Sequence, residues 1–161
     1  MAATPTGTSV VEREVKIEAS PETVFPFFTD PEKMIRWMGV AATLDPRPGG
    51  VFSVNVTGNY FMVGEYLEVE PCTRVVFTWG YGDPPGGDDN PVPPGSTTVE
   101  VELVPVGEAT LVRLVHRIPT EVHDFHAMGW EHYLDRLAVV APGGDPGPDL
   151  LAELASAWDT E

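Results

Sequence analysis

The sequence predicts an α+β domain: a curved antiparallel sheet of about seven strands wrapped around one long C-terminal helix. Three observations predict it. Runs of alternating apolar and polar residues recur along the chain with short connections. Two proline-led segments with helix-start signals interrupt that pattern once, after the first run. The stretch EVHDFHAMGWEHYLDRLAVV, residues 121–140, is the one segment with sustained helical spacing.

The first strand is VEREVKIEAS. Val11, Val15, Ile17 and Ala19 share one face, and Glu12, Glu14, Lys16 and Glu18 share the other. Arg13 falls on the apolar side, as expected of a residue emerging at a sheet edge. In SPETVFPFF, Ser20 suits an N-cap and Pro21 the first helical position, while Pro26 keeps the helix short. In DPEKMIRWMG, Asp30 caps, Pro31 follows, and Gly39 ends the helix.

A strand meander is expected next. RPGG turns the chain into VFSVNV, where Phe52, Val54 and Val56 face one way. Gly58-Asn59 reads as a hairpin turn. YFMVGEYLEVEP is long and interrupted at Gly64, which predicts a bulge or bend. RVVFTW sets Val75, Phe77 and Trp79 on one face. Residues 80–95, GYGDPPGGDDNPVPPG, are expected to lack regular structure, because Pro and Gly exclude helix and ladder alike. STTVEVELVPV turns Val99, Val101 and Leu103 inward, and TLVRLVHRIP puts Thr110, Val112, Leu114 and His116 on one face. In the long helix Trp130, Leu134, Leu137 and Val140/Ala141 recur at helical spacing, with Phe125, Met128 and Tyr133 nearby. The organisation is then a flexible leader (1–9), one domain (10–143) and a tail (144–161) in which LLAELASAWDTE suits a short amphipathic helix.

Composition narrows the partners. The 161 residues are 42% hydrophobic, enough for a packed core, and carry 9 basic against 25 acidic residues, a net charge of −16. That charge repels phosphate backbones and anionic bilayers, so neither nucleic acid nor membrane is expected as a partner. No run approaches the ~20 apolar residues of a membrane span, and no signal peptide is evident. The single cysteine, Cys72, cannot form an internal disulfide, which fits a cytoplasmic setting. It lies at a strand-to-strand turn and reads as a small structural residue rather than a nucleophile.

Several stretches carry a family resemblance. EASPETVFPFFTDPEKMIRWMG, LDPRPGGVFSV, VGEYLEVEPCTRVVFTW, STTVEVELVPVGEATLVRLVH and MGWEHYLDRL, in this order from about residue 11 to about residue 143, resemble the SRPBCC (START/birch-pollen-allergen-like) superfamily. More narrowly they resemble the branch named after the activator homologue of the heat-shock-protein-90 ATPase. The RPGG turn, the GEYLEVEP…FTW pair and the GW of the last helix are the specific parts. The resemblance implies a helix-grip fold with a deep, largely apolar cavity. It does not fix function, since the superfamily includes carriers, cyclases, co-chaperone domains and resistance proteins.

Candidate chemistry is sparse. His123, His126 and His132 lack metal-ligand spacing, so no metal is expected, and helix-end or surface positions are their default. No catalytic motif or cofactor fingerprint appears, so no catalytic residue and no cofactor are assigned. His116 shares its face with Val112 and Leu114 and is the one histidine expected to point into the cavity. Glu65 is a cavity carboxylate if it points inward and an ordinary exposed acid otherwise, the commoner case. Tyr60, Tyr66 and Tyr133 are candidate hydroxyl anchors.

The reading is therefore a binding protein. Trp37, Phe52, Val54, Met62, Phe77, Trp79, Leu114, His116, Trp130 and Leu134 are expected to line a site for a small hydrophobic or amphipathic molecule, in a monomer or homodimer. The helix histidines should mostly face elsewhere. One rival is a cyclase- or dehydratase-like enzyme acting on an aromatic or polyketide-type substrate through His116 with a tyrosine or Glu65. Another is a chaperone-interaction or stress-response module using an exterior surface, although the additional N-terminal domain expected of a full co-chaperone is not evident. A third is a resistance protein cleaved by a reactive drug at a glycine.

Overall fold

The computed structural model describes residues 8–56, 61–82, 92 and 95–147. The first strand, β1 (Thr8–Ile17), buries Val11 and Ile17 and leaves its glutamates in solvent. Ser20 caps α1 (Pro21–Val24), its hydroxyl accepting from the Thr23 amide, and Asp30 caps α2 (Pro31–Trp37), accepting from the Glu32 amide at 3.0 Å. Between them Phe25–Phe28 form a 3-10 turn that buries three phenylalanines. After α2 the chain turns at Gly39 with φ +93°, where a Cβ would lie 2.6 Å from Val54 Cγ1.

The remaining strands are β2 (Ala41–Leu44), β3 (Val51–Asn55), β4 (Phe61–Glu70), β5 (Arg74–Trp79), β6 (Tyr81–Gly82), β7 (Thr97–Val106) and β8 (Ala109–Pro119). All neighbours are antiparallel. The sheet order is β1-β8-β7-β5-β4-β3-β2, with the two-residue β6 paired to β4 off that path. The first strand thus pairs with the last, as expected of a meander closed by its own N-terminus. A 3-10 turn at Thr120–Val122 leads into α3 (His123–Val140), which packs against β1 and α2.

The two faces of the sheet differ chemically. The inner face carries the core. On the outer face Glu100 of β7 bridges Arg74 of β5, at 3.2 Å, and Arg117 of β8. Two buried hydrogen bonds hang the short-helix segment on the core: Trp37 Nε1 donates to Phe27 O (3.0 Å) and Tyr66 OH donates to Phe28 O (2.8 Å).

Gly64 is where β3, β4 and β5 crowd together. A Cβ on Gly64 would lie 2.0 Å from the carbonyl oxygen of Thr78, so only glycine lets the strands approach. The register between β4 and β5 then shifts between Tyr66 and Glu68. The irregularity expected at Gly64 is present, two residues along.

Three expectations need correction or limits, and for Glu65 the commoner of its two readings holds. Residues 81–82 form β6, inside the stretch expected to lack regular structure, because there the chain pairs with Phe61 and Met62 of β4. Residues 83–91, the Gly58-Asn59 turn, Tyr60 and the segment from 148 onward lie outside the described residues. Phe125 and Met128 are exposed (54% and 52%), since the buried row of α3 runs through Ala127, Trp130, Leu134 and Leu137 instead. Glu65 is exposed, so no cavity carboxylate arises from it.

Gly64→Ala should destabilise the fold by about 2 kcal/mol or more, because the obstructing atom is backbone and cannot swing aside. Urea unfolding checks this; a loss under about 0.5 kcal/mol would mean that the strand pair relaxes around the methyl group.

Candidate functional site

The inner face gathers the predicted lining residues. Trp37 comes from α2, Phe52 and Val54 from β3, Met62 from β4, Phe77 and Trp79 from β5, Leu114 and His116 from β8, and Trp130 and Leu134 from α3. All ten are at most 4% exposed and belong to, or are enclosed by, one continuous core. Their rings form a run: Phe52 stacks on Phe77 (3.9 Å between centroids), Phe77 leans on Trp79 (6.4 Å), and Trp79 meets Trp130 (5.0 Å).

The run ends on a polar cluster. Trp130 Nε1 donates to His116 Nδ1 at 3.0 Å. An indole N–H can only donate, so Nδ1 must hold a lone pair and the proton sits on Nε2. His116 Nε2 then donates to Thr97 Oγ1 (2.9 Å), whose hydroxyl donates to the Trp79 carbonyl at 2.6 Å. The chain Trp130–His116–Thr97–Trp79 ties α3 to three adjacent strands. Both ring nitrogens of His116 are used, so the imidazole is neutral and fully engaged.

His126 stands beside it. Its ring meets that of His116 edge to face at 5.5 Å and 87°, and Nδ1 donates to the Val122 carbonyl at 3.0 Å. This corrects the expectation that the helix histidines mostly face elsewhere: His126 is 5% exposed, because it lies one turn before Trp130 on the buried row. His123 and His132 are half-buried at the flank. Thr97 was missed as well, although it continues the inward phase of Val99 and Val101. A hydroxyl in an apolar alternation, and a histidine four residues before a buried tryptophan, were the available signals.

The electrostatics follow from burial. Desolvation pushes the His116 pKa from 6.5 down to about 3, and the neighbouring charge of a protonated His126 pushes the same way. Desolvation also lowers His126. Burial, reinforced by the Asp45 charge, keeps the Tyr66 phenol protonated, and its hydroxyl is spent on Phe28 O rather than held for a ligand. Tyr133 is buried against the core.

Outside this cluster, Arg13 of β1 and the flank of α3 (Asp124, Met128, Glu131, Asp135) line a shallow groove. Arg13 does emerge at the sheet edge, its Nε 3.8 Å from Glu131 and Nη1 donating to Glu12 O. Among the described residues no group of three His, Cys, Asp or Glu side chains is placed to hold a metal. No described helix is long and apolar enough to cross a membrane. Cys72 sits at the β4–β5 turn with φ 66°, a turn role in agreement with its sequence context.

His116→Ala should cost about 3 kcal/mol in urea unfolding, since it leaves the Trp130 indole N–H without an acceptor and the Thr97 hydroxyl without its donor in a dry interior. Trp130→Phe, which removes a donor but keeps a ring, should cost about half that. The pH dependence has a definite sign. The unfolded chain takes up a proton near pH 6.5 that the folded one refuses until about pH 3. The His116 contribution is therefore intact above pH 6.5 and is lost, at about 1.4 kcal/mol per unit, as pH falls below it. Comparison with His116→Gln isolates this slope; equal slopes would refute the assignment.

Comparison with known proteins places the chain. Residues 18–141 match the family model of activator of Hsp90 ATPase homolog 1-like proteins. The solution structure of an AHSA1-like protein from Rhizobium etli is 45% identical, covers 89% of this chain and 88% of its own, and superposes with a TM-score of 0.69. DynU16, a putative protein in the dynemicin biosynthetic locus, shares the fold (24% identity, 85% of this chain and 48% of that one, TM-score 0.71). So does the Aha1 dimer of Colwellia psychrerythraea (20% identity, 84% and 98%, TM-score 0.68). No curated protein matches the sequence. An inner face closed by a C-terminal helix, a family model spanning most of the domain and a 45% identical relative agree: the chain belongs to the activator of Hsp90 ATPase homolog 1-like family, within the SRPBCC superfamily and its helix-grip fold.

Proposed function

We propose that the domain binds a hydrophobic or amphipathic small molecule between the inner face of the sheet and α3. The observation that carries this reading is the run of rings from Phe52 through Phe77 and Trp79 to Trp130, gathered under a single helix. A flat apolar body suits such a run, and Met62, Leu114 and Leu134 complete apolar walls around it. The buried polar side chains among the described residues are Thr97, Thr110, His116 and His126, and none is an acid, a lysine or an arginine. A ligand taken up here is therefore uncharged over its buried part.

Catalysis through His116 is the weaker reading. A general base needs a free lone pair within reach of substrate, and the His116 lone pair is occupied by the Trp130 indole. A chaperone-contact role draws on the family description and on the exposed Phe125 and Met128, which give the start of α3 an apolar outer surface.

Native mass spectrometry of freshly purified protein, before and after organic extraction, separates these readings. Ligand binding predicts an extra mass of roughly a few hundred daltons that extraction removes, the size such a pocket takes. A bare mass in both samples, with no uptake of neutral aromatic compounds added afterwards, counts against an interior ligand and in favour of the surface role.

A further inference from the structure

The outward side of α3 has a pattern of its own. Asp124, Met128, Glu131 and Asp135 are spaced by four, three and four residues, so they lie along one stripe of the helix. Together with Arg13 of β1 they line the groove described above. Phe125 precedes Met128 by three residues, the spacing at which side chains on a helix are neighbours. Both are more than half exposed.

Two features set this stripe apart from an ordinary solvated helix face. The first is apolar. A lone exposed hydrophobe is common, but two large ones side by side next to a groove mark a contact surface. Met128 suits that use, because an unbranched thioether side chain reshapes itself to whatever packs on it. The second is charge. Three carboxylates line the groove against one guanidinium. That guanidinium is already held, with Nε 3.8 Å from Glu131 and Nη1 donating to Glu12 O. The Asp124, Glu131 and Asp135 side chains stand out in solvent.

The geometry points to this face of α3 as a docking surface for a cationic amphipathic helix of another protein. The partner's apolar side chains rest on Phe125 and Met128, and its lysines or arginines meet Asp124, Glu131 and Asp135. Length favours a helix over a small ligand: from Asp124 to Asp135 the stripe runs about 16 Å along the axis, three turns. A helix laid beside it repeats the same three- and four-residue spacing, so cations and acids meet in step. Charge selects the occupant. A net charge of −16 repels an acidic partner. A second copy of this chain, docked through the same face, sets these acids against their own counterparts. The surface is independent of the interior-ligand reading, because Phe125 and Met128 lie outside the buried core.

Fluorescence anisotropy of the intact chain tests this at pH 8, above the ordinary histidine range. The probe is a labelled synthetic helix about as long as α3, with leucines on one face and lysines on the other. It should bind, more weakly as salt rises, and a version with glutamate in place of lysine should not. Neutralising the stripe (Asp124→Asn, Glu131→Gln, Asp135→Asn) should weaken binding about tenfold. Neutralising three exposed acids on other elements (Glu32→Gln, Glu65→Gln, Glu108→Gln) should weaken it less than about threefold, although the net charge changes equally. Met128→Ala combined with Phe125→Ala should weaken it about fivefold or more, including at high salt. Failure of the lysine helix to bind at low salt would overturn the proposal. So would equal weakening by the two charge triples, which would mean attraction to net charge alone, or indifference to the apolar pair. Each of these failures leaves the interior-ligand reading standing, since native mass spectrometry tests that separately.

Discussion

The bond from Trp130 Nε1 to His116 Nδ1 fixes how the helix sits on the sheet. Apolar packing alone leaves a long helix free to slide or rotate over a curved sheet, because dispersion is non-directional. A directed bond between an indole and an imidazole in a dry interior removes that freedom, since any other register leaves the Trp130 donor and the His116 acceptor unsatisfied. Thr97 and the Trp79 carbonyl extend the constraint across β8, β7 and β5. The polar content of the core is small, and most of it is spent on this one alignment.

That expenditure shapes what the interior can recognise. With His116 saturated and Tyr66 committed to Phe28 O, these two polar groups are not free to select a ligand. At the proposed ligand site, discrimination would then come from shape and from ring stacking. The surface is the reverse case: the chain carries a net charge of −16, and the exposed Met128 of α3 lines a groove beside Asp124, Glu131 and Asp135.

Much of the architecture was legible because it rests on local signals. Strand alternation, the Ser20 and Asp30 caps and the proline-led helix starts each depend on neighbours in sequence. The ten residues expected to line a ligand site are all buried, because strand phase and helical spacing determine which way a side chain points. What those signals do not carry is pairing across the sheet. Whether His116 is a free acid/base or a tied acceptor depends on an indole fourteen residues away. His126 was read as a surface residue because histidine tolerates either environment, and only its neighbour on β8 decides between them. Phe125 and Met128 suit the core by composition but fall off the buried row of α3 through Ala127, Trp130, Leu134 and Leu137.

The measurement that tests this account most directly is the ¹⁵N chemical shift pair of the His116 ring between pH 7.5 and pH 6.5. A neutral ring with its proton on Nε2 and a lone pair on Nδ1, unchanged over that range, is the predicted result. A ring protonated on Nδ1, or one that titrates near the ordinary histidine value, would contradict it. The helix would then lack its directed bond to the inner face of the sheet, and His116 would be available for chemistry.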